Sequence, residues 1–190
     1  MKRLILFASG SGTNAENIMN HFRHSNVVQV VAVMTDNPQA GVIERARKYD
    51  VPVLIFDKDQ LNNPKQLLHK CKLLKPDLIV LAGFLKLIPL HFVNQFSNKI
   101  INIHPALLPK YGGKGMYGMH VHNAVIMHVE KESGITIHYV NEHFDKGEII
   151  MQQTIQVERD DTAEMVAKKI HALEYKYLPI AIEKVLSKQN

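Results

Sequence analysis

Asn102 and His104 stand two residues apart at the end of a short apolar run, Lys99–Ile103, just before Pro105. In a strand, residues i and i+2 project to one face. The amide and the imidazole therefore share a side, with Ile101 and Ile103 packed behind them. An amide donor next to a titratable ring suits attack on a carbonyl, because both can face a developing oxyanion while another group takes the nucleophile's proton. Asp145, in the turn Phe144-Asp145-Lys146-Gly147, offers a carboxylate able to pair with the ring, raise its pKa and orient it. No serine or cysteine stands in a nucleophile-elbow context, which favours direct transfer to a substrate amine over a covalent acyl-enzyme. Singly, His104 reads as a satisfied structural histidine and Asp145 as a turn residue; jointly they read as a reacting centre.

A second chemical feature lies near the start. Gly10-Ser11-Gly12-Thr13-Asn14-Ala15 matches G-x-G-x-x-A directly after an apolar run. Glycine lets backbone N–H groups approach an anion, and the helix that follows presents its positive end, so the turn reads as a phosphate site. Two other readings stay open. The turn can merely cap a helix through Thr13 or Asn14, or it can belong to a dinucleotide-binding module, with Asp36 where the ribose acid would stand.

The elements that must hold these groups follow from the hydrophobic pattern. Leu4–Ala8, Val27–Met34, Val51–Phe56, Asp77–Ala82 and Lys99–Ile103 are apolar, largely β-branched runs, as in strands buried on both faces. Between them Ala15–Arg23, Ala40–Tyr49, Lys65–Leu74 and Pro89–Phe96 read as helices. This alternation predicts an α/β fold: a doubly wound, mostly parallel, Rossmann-like sheet. After His104 the texture changes. Pro105–Met119, with Pro109, Gly112, Gly113, Gly115 and Gly118, reads as a long functional loop. Val121–Glu130 reads as a helix, and Ile135–Val140 with Glu148–Val157 as an antiparallel hairpin at one side of the sheet. Asp161 or Thr162 caps a long terminal helix. Its expected apolar stripe is Met165, Ile170, Leu173, Tyr177, Ile180 and Val185, with an interruption or kink near Pro179.

Composition narrows the class. The 190 residues are 46% apolar and 22% charged, with a formal charge of +5. That size suggests one domain over 1–190, with a phosphate-binding half at 1–100 and a catalytic half at 101–190. The charge reflects a small surplus of surface lysine, and no basic block is dense enough for nucleic acid. Cys71 is the one cysteine, which fits a reducing compartment and a packed structural thiol. No apolar run reaches membrane-spanning length, and the Leu4–Ala8 run is too short for a signal peptide. The expectation is a cytoplasmic enzyme, monomer or homodimer, acting on small molecules, with neither nucleic acid nor membrane as partner.

Three stretches carry a family resemblance: Asn102-Ile103-His104-Pro105-Ala106-Leu107-Leu108-Pro109, Gly134–Val140 and Asp145-Lys146-Gly147-Glu148-Ile149-Ile150. Together they resemble the 10-formyltetrahydrofolate-dependent formyltransferases. Length and the Ser9–Asn14 turn are most similar to the branch that formylates glycinamide ribonucleotide for purine biosynthesis. The resemblance implies Asn102, His104 and Asp145 as the catalytic trio, and 10-formyltetrahydrofolate as co-substrate. It implies that Gly12, Thr13 and Asn14 hold the phosphate of glycinamide ribonucleotide, with Glu174 near its ribose. It assigns the folate pterin to Leu85, Lys86, Leu87 and Ile88, to Asn102, and to the loop Asn141, Glu142, His143, Phe144 and Asp145. His138 would support the site from behind, and His120 and His122 would approach the folate. The spacing of His104, His120 and His122 could suggest zinc, but no cysteine or glutamate cluster supports it, so no metal is expected. Tyr111–Gly118 is longer and richer in glycine than the corresponding loop in many relatives, so its contacts do not transfer. Lys110 faces either phosphate or solvent, and Lys65 stands in for a folate-glutamate contact. Methionyl-tRNA and amino-sugar-nucleotide formyltransferases share the trio but usually append a C-terminal domain, and a formyltetrahydrofolate hydrolase usually adds an N-terminal one. An NAD-binding module leaves the trio unexplained.

Overall fold

The computed structural model describes residues 1–188. Its elements run β1 (Lys2–Phe7), α1 (Thr13–Phe22), β2 (Val28–Thr35), α2 (Val42–Arg47), β3 (Val53–Ile55), α3 (Lys58–Asn62), α4 (Leu67–Leu73), β4 (Leu78–Leu81), α5 (Leu90–Gln95), β5 (Ile100–His104), α6 (Met119–Met127), β6 (Glu132–Tyr139), β7 (Ile149–Gln156) and α7 (Ala163–Ser187). One seven-stranded sheet has the order β3-β2-β1-β4-β5-β6-β7. Strands β1 to β5 pair in parallel, and β6 and β7 join antiparallel. This is the expected doubly wound sheet with its hairpin at one edge.

Alternation along the central strands builds a core on each face. Leu4 and Leu6 of β1, with Leu78 and Val80 of β4, pack beneath α1, α2 and α7. Ile5, Phe7, Ile79 and Leu81 pack beneath α4 and α5. Cys71 lies in that second core with its thiol pushed up to about 12 by burial, as suits a packed, unreactive side chain. In β5, Ile101 and Ile103 enter the first core and Ile100 the second. Asn102 and His104 therefore take the face of Ile100, as their spacing predicts.

Two expectations about α7 are corrected. Of the interruption or kink expected near Pro179, the interruption is absent: α7 is a single element from Ala163 to Ser187. Proline removes the N–H that would bond the carbonyl four residues back, which is that of Tyr175. The Asn17 side chain of α1 donates to that carbonyl at 2.8 Å. The buried stripe is also phased differently. Val166, Ile170, Leu178, Ala181, Ile182 and Val185 are buried, whereas Met165 and Ile180 are 48% and 42% exposed. Helical phase, rather than side-chain size, decides which residues face the sheet. Thr162 is the N-cap, accepting from Met165 N, while Asp161 instead pairs with Lys169. Outside the expected helices, α3 opens on a capping box in which Asp57 and Gln60 each accept the other's backbone N–H.

Candidate active site

The turn after β1 reaches α1 through Gly12, whose φ of 75° lies in the left-handed region. A side chain there would also overlap Val42, so glycine is required twice over. No side chain caps α1, which removes Thr13 and Asn14 as caps. The first-turn N–H groups thus keep their partial positive charge. The Asn14 side chain is buried and donates to Glu174 Oε2 at 3.0 Å. Glu174 also takes a 2.7 Å contact from His171 Nδ1, one turn earlier on α7. That hydrogen bond raises the His171 pKa.

The turn forms one wall of a cleft of about 680 Å³. Asn102 and His104, at the carboxyl end of β5, form its floor together with Asp145, as expected of an open α/β sheet. Asn102 stands opposite His138 and His104 opposite Thr136 in the β5–β6 register. Asn102 Nδ2 lies 3.1 Å from His138 Nε2 and donates to Asp145 Oδ1 at 3.3 Å. Asp145 Oδ2 accepts from the Gly113 amide at 2.9 Å and lies 3.6 Å from His104 Nδ1. The other ring nitrogen, His104 Nε2, donates to the Tyr111 carbonyl at 2.7 Å. Two devices fix these positions. Thr136 Oγ1 bonds the Ala106 carbonyl and the Leu108 amide, pinning the chain beyond His104. Gly147 presses on the Tyr139 carbonyl so closely that a side chain would overlap it, which holds the Asp145 turn down on β6.

Burial lowers the His104 pKa and outweighs both the Asp145 carboxylate and the Tyr111 carbonyl, which favour its cation. Asp145 thus acts on the ring in the expected direction, but the net shift is opposite to expectation. Burial would raise the Asp145 carboxyl, but His138, the charge of His104 and the Gly113 amide together hold it below its ordinary value. The floor is therefore a carboxylate facing a ring that titrates below the usual histidine range. Such a pair can accept a proton and stabilise the cation that forms.

The formyl transferase family is matched over residues 2–182. The chain belongs to the formyl transferase family. It is 40% identical over 181 residues to the chloroplastic phosphoribosylglycinamide formyltransferase of Arabidopsis thaliana, covering 92% of this chain and 62% of that protein. It thus spans less than two thirds of that plant relative. It is 36% identical over 195 residues to the phosphoribosylglycinamide formyltransferase of Bacillus subtilis, covering 100% of this chain and 97% of that protein. The crystal structure of phosphoribosylglycinamide formyltransferase from Bacillus halodurans superposes with a TM-score of 0.88 at 35% identity, covering 100% of this chain and 97% of that one.

In this formyl transferase the cleft gathers Gly12, Thr13, Asn14, Leu85, Asn102, His104, Phe144, Asp145 and Glu174. Other expected residues do not line it. Ile88 is buried in the core beside Phe92, and Lys86 and Leu87 are exposed. Of the segment Leu85–Ile88 only Leu85 lines the cleft, its amide tied to Ser9 Oγ at 3.1 Å. Glu142 and His143 are exposed, and Asn141 accepts from the His143 amide within its own turn. Lys110 lies outside the cleft on the solvent side, as one of its two expected placements has it, and pairs there with Glu130. Lys65 and Asp36 lie outside the lining. His138 is buried behind Asn102 and Asp145, as expected of a supporting ring. His120 lies outside the lining, whereas His122 is 2% exposed in the cleft wall with Nδ1 unpartnered. Burial lowers its pKa, with His171, Glu174 and His104 as its titratable neighbours, so it faces the Glu174 corner. Among the described residues no group of three or more His, Cys, Asp or Glu side chains could hold a metal, and no helix is long and apolar enough to cross a membrane.

The residues that pattern reading missed are His171, Tyr111 and Gly113. His171 carried a signal, because His-x-x-Glu puts it beside Glu174 on one helix face. Tyr111 and Gly113 act through backbone atoms, which side-chain types do not announce.

Proposed function

We propose that this chain transfers the formyl group of 10-formyltetrahydrofolate to the amine of glycinamide ribonucleotide, a step of purine biosynthesis. One observation carries the reading: Asn102, His104 and Asp145 converge on the floor of a cleft whose wall is the uncapped end of α1 beside Glu174. A phosphate suits that helix end, and the ribose suits Glu174 and the unpartnered His122 Nδ1. Leu85, Phe144 and the Asn141–Asp145 loop take the pterin of the folate.

In the resting enzyme His104 is neutral, with its proton on the nitrogen facing the Tyr111 carbonyl. The lone pair of Nδ1 faces Asp145 and the cleft. As the substrate amine attacks the formyl carbon, a C–N bond forms and negative charge gathers on the formyl oxygen, to which Asn102 Nδ2 redirects one of its two hydrogens from Asp145 Oδ1 or His138 Nε2. His104 Nδ1 takes the amine proton, directly or through water, and Asp145 stabilises the resulting cation. Collapse breaks the bond to N10, and the same proton passes to that nitrogen as it leaves. The reaction is carried out by one formyltransferase domain in the cytoplasm, with small-molecule partners only.

The test is to incubate the protein with glycinamide ribonucleotide and 10-formyltetrahydrofolate and follow deformylated folate. Stoichiometric deformylated folate and formylated ribonucleotide are expected. Tight NAD binding without folate turnover would overturn the reading.

A further inference from the structure

The loop leaving Pro109 turns at Tyr111, a non-glycine residue with φ 55°. Such backbone is sparsely populated and persists where its surroundings hold it. Here the side chain does the holding. The phenol donates to Glu130 Oε1 at 2.9 Å and lies 3.1 Å from His128 Nδ1. Its ring stacks on His128 at 5.7 Å between centroids. Lys110 Nζ fixes the Glu130 carboxylate at 2.9 and 3.1 Å. None of these four residues lines the cleft. Yet the Tyr111 carbonyl touches the floor, accepting from His104 Nε2 at 2.7 Å.

A carbonyl can only accept, so it selects the imidazole tautomer protonated at Nε2 and leaves Nδ1 to work. The charged and titratable groups around the ring are Asp145 of the β6–β7 turn, His138 of β6, His122 of α6 and Glu174 of α7. Among the described residues only the Tyr111 carbonyl receives Nε2.

We propose that Tyr111, anchored from outside the cleft by Glu130 and His128, is a positioning residue that holds His104 in one tautomer. Its kinetic consequence rests on the proposed function; the tautomer itself does not. Burial and the Glu130 carboxylate push the phenol up to about 12, so it remains a donor at neutral pH. Losing its hydroxyl frees Tyr111 to leave the left-handed region and withdraws the carbonyl.

The experiment is nitrogen-15 NMR of the His104 ring in substrate-free protein, for the parent and for Tyr111→Phe, with Glu130→Gln as a milder perturbation of the same anchor. The parent shows a protonated Nε2 and a bare Nδ1 when neutral. Tyr111→Phe shows mixed tautomers, and its titration midpoint falls, because the carbonyl favours the protonated ring. The formyl-transfer kcat falls about fivefold to thirtyfold, the population change allowed by relief of one left-handed residue, with KM within about twofold. An unchanged tautomer and midpoint in Tyr111→Phe would overturn the proposal. A changed tautomer in a protein that transfers no formyl group supports it and counts against the proposed function alone.

Discussion

Replacing Asp145 by asparagine removes one charge from the centre of the cleft while keeping its shape. The substituted amide can still accept from the Gly113 N–H through its oxygen. What it loses is the attraction between the carboxylate and the imidazolium that forms in the proposed transfer, together with the acceptor for Asn102 Nδ2, because the new NH2 takes the place of Oδ1. Asp145 Oδ2 lies 3.6 Å from His104 Nδ1, and the two side chains are 11% and 5% exposed. At that spacing and an effective dielectric of about 20, two unit charges interact by about 4.6 kcal/mol. Residual solvation reduces this to roughly 3–4 kcal/mol, or about 10²- to 10³-fold in rate. The loss falls on kcat, because the cation exists only beyond the ground state, and KM for both substrates stays within about threefold. The acid limb of the profile also moves. His104 must be neutral to take the proton, and burial already places its midpoint below the ordinary 6.5. Asp145 opposes that shift, so Asp145→Asn moves the limb to still lower pH. Initial rates at saturating and limiting substrate across pH give both numbers. A folded Asp145→Asn enzyme with kcat within tenfold of the parent would refute the charge argument.

Glu174→Gln removes the charge that receives Asn14 and His171. KM for glycinamide ribonucleotide rises about tenfold to a hundredfold, from charge-assisted bonds of about 1.5–3 kcal/mol, with the folate KM unchanged; a change confined to the folate KM would contradict the assignment. His104 and His122 both titrate low through burial, so the unfolded chain binds protons first as pH falls through about 6.5 and stability declines. His171, raised by Glu174, acts oppositely: its contribution is present below that value and is lost as pH rises through its own midpoint. Urea unfolding of His122→Gln therefore shows a shallower acid decline than the parent, and equal slopes would count against a neutral buried ring.

Much of this was legible because local chemistry and tertiary placement agree. The β5 pair could be read since the two-residue period needs no knowledge of neighbours, and the apolar runs of β1 to β5 announce buried strands. The failures are long-range. Pro179 lies inside a continuous helix because Asn17 supplies a donor to the Tyr175 carbonyl from a distant helix. The α7 stripe departs from expectation where large apolar residues, Met165 and Ile180, lie off the buried phase. The sign of the His104 shift needed the extent of burial, which no spacing gives. The Tyr111 carbonyl and Gly113 amide reach the floor through a loop whose path depends on Glu130 and His128. The one-turn helix α3 carries a local signal of its own, the Asp57–Gln60 capping box.

A direct measurement is the kcat for formyl transfer from 10-formyltetrahydrofolate to glycinamide ribonucleotide by the parent protein and by His104→Ala. A catalytic His104 predicts transfer by the parent and a loss of orders of magnitude in kcat for the variant, with little change in either KM. Near-parental kcat in a folded His104→Ala protein would contradict it.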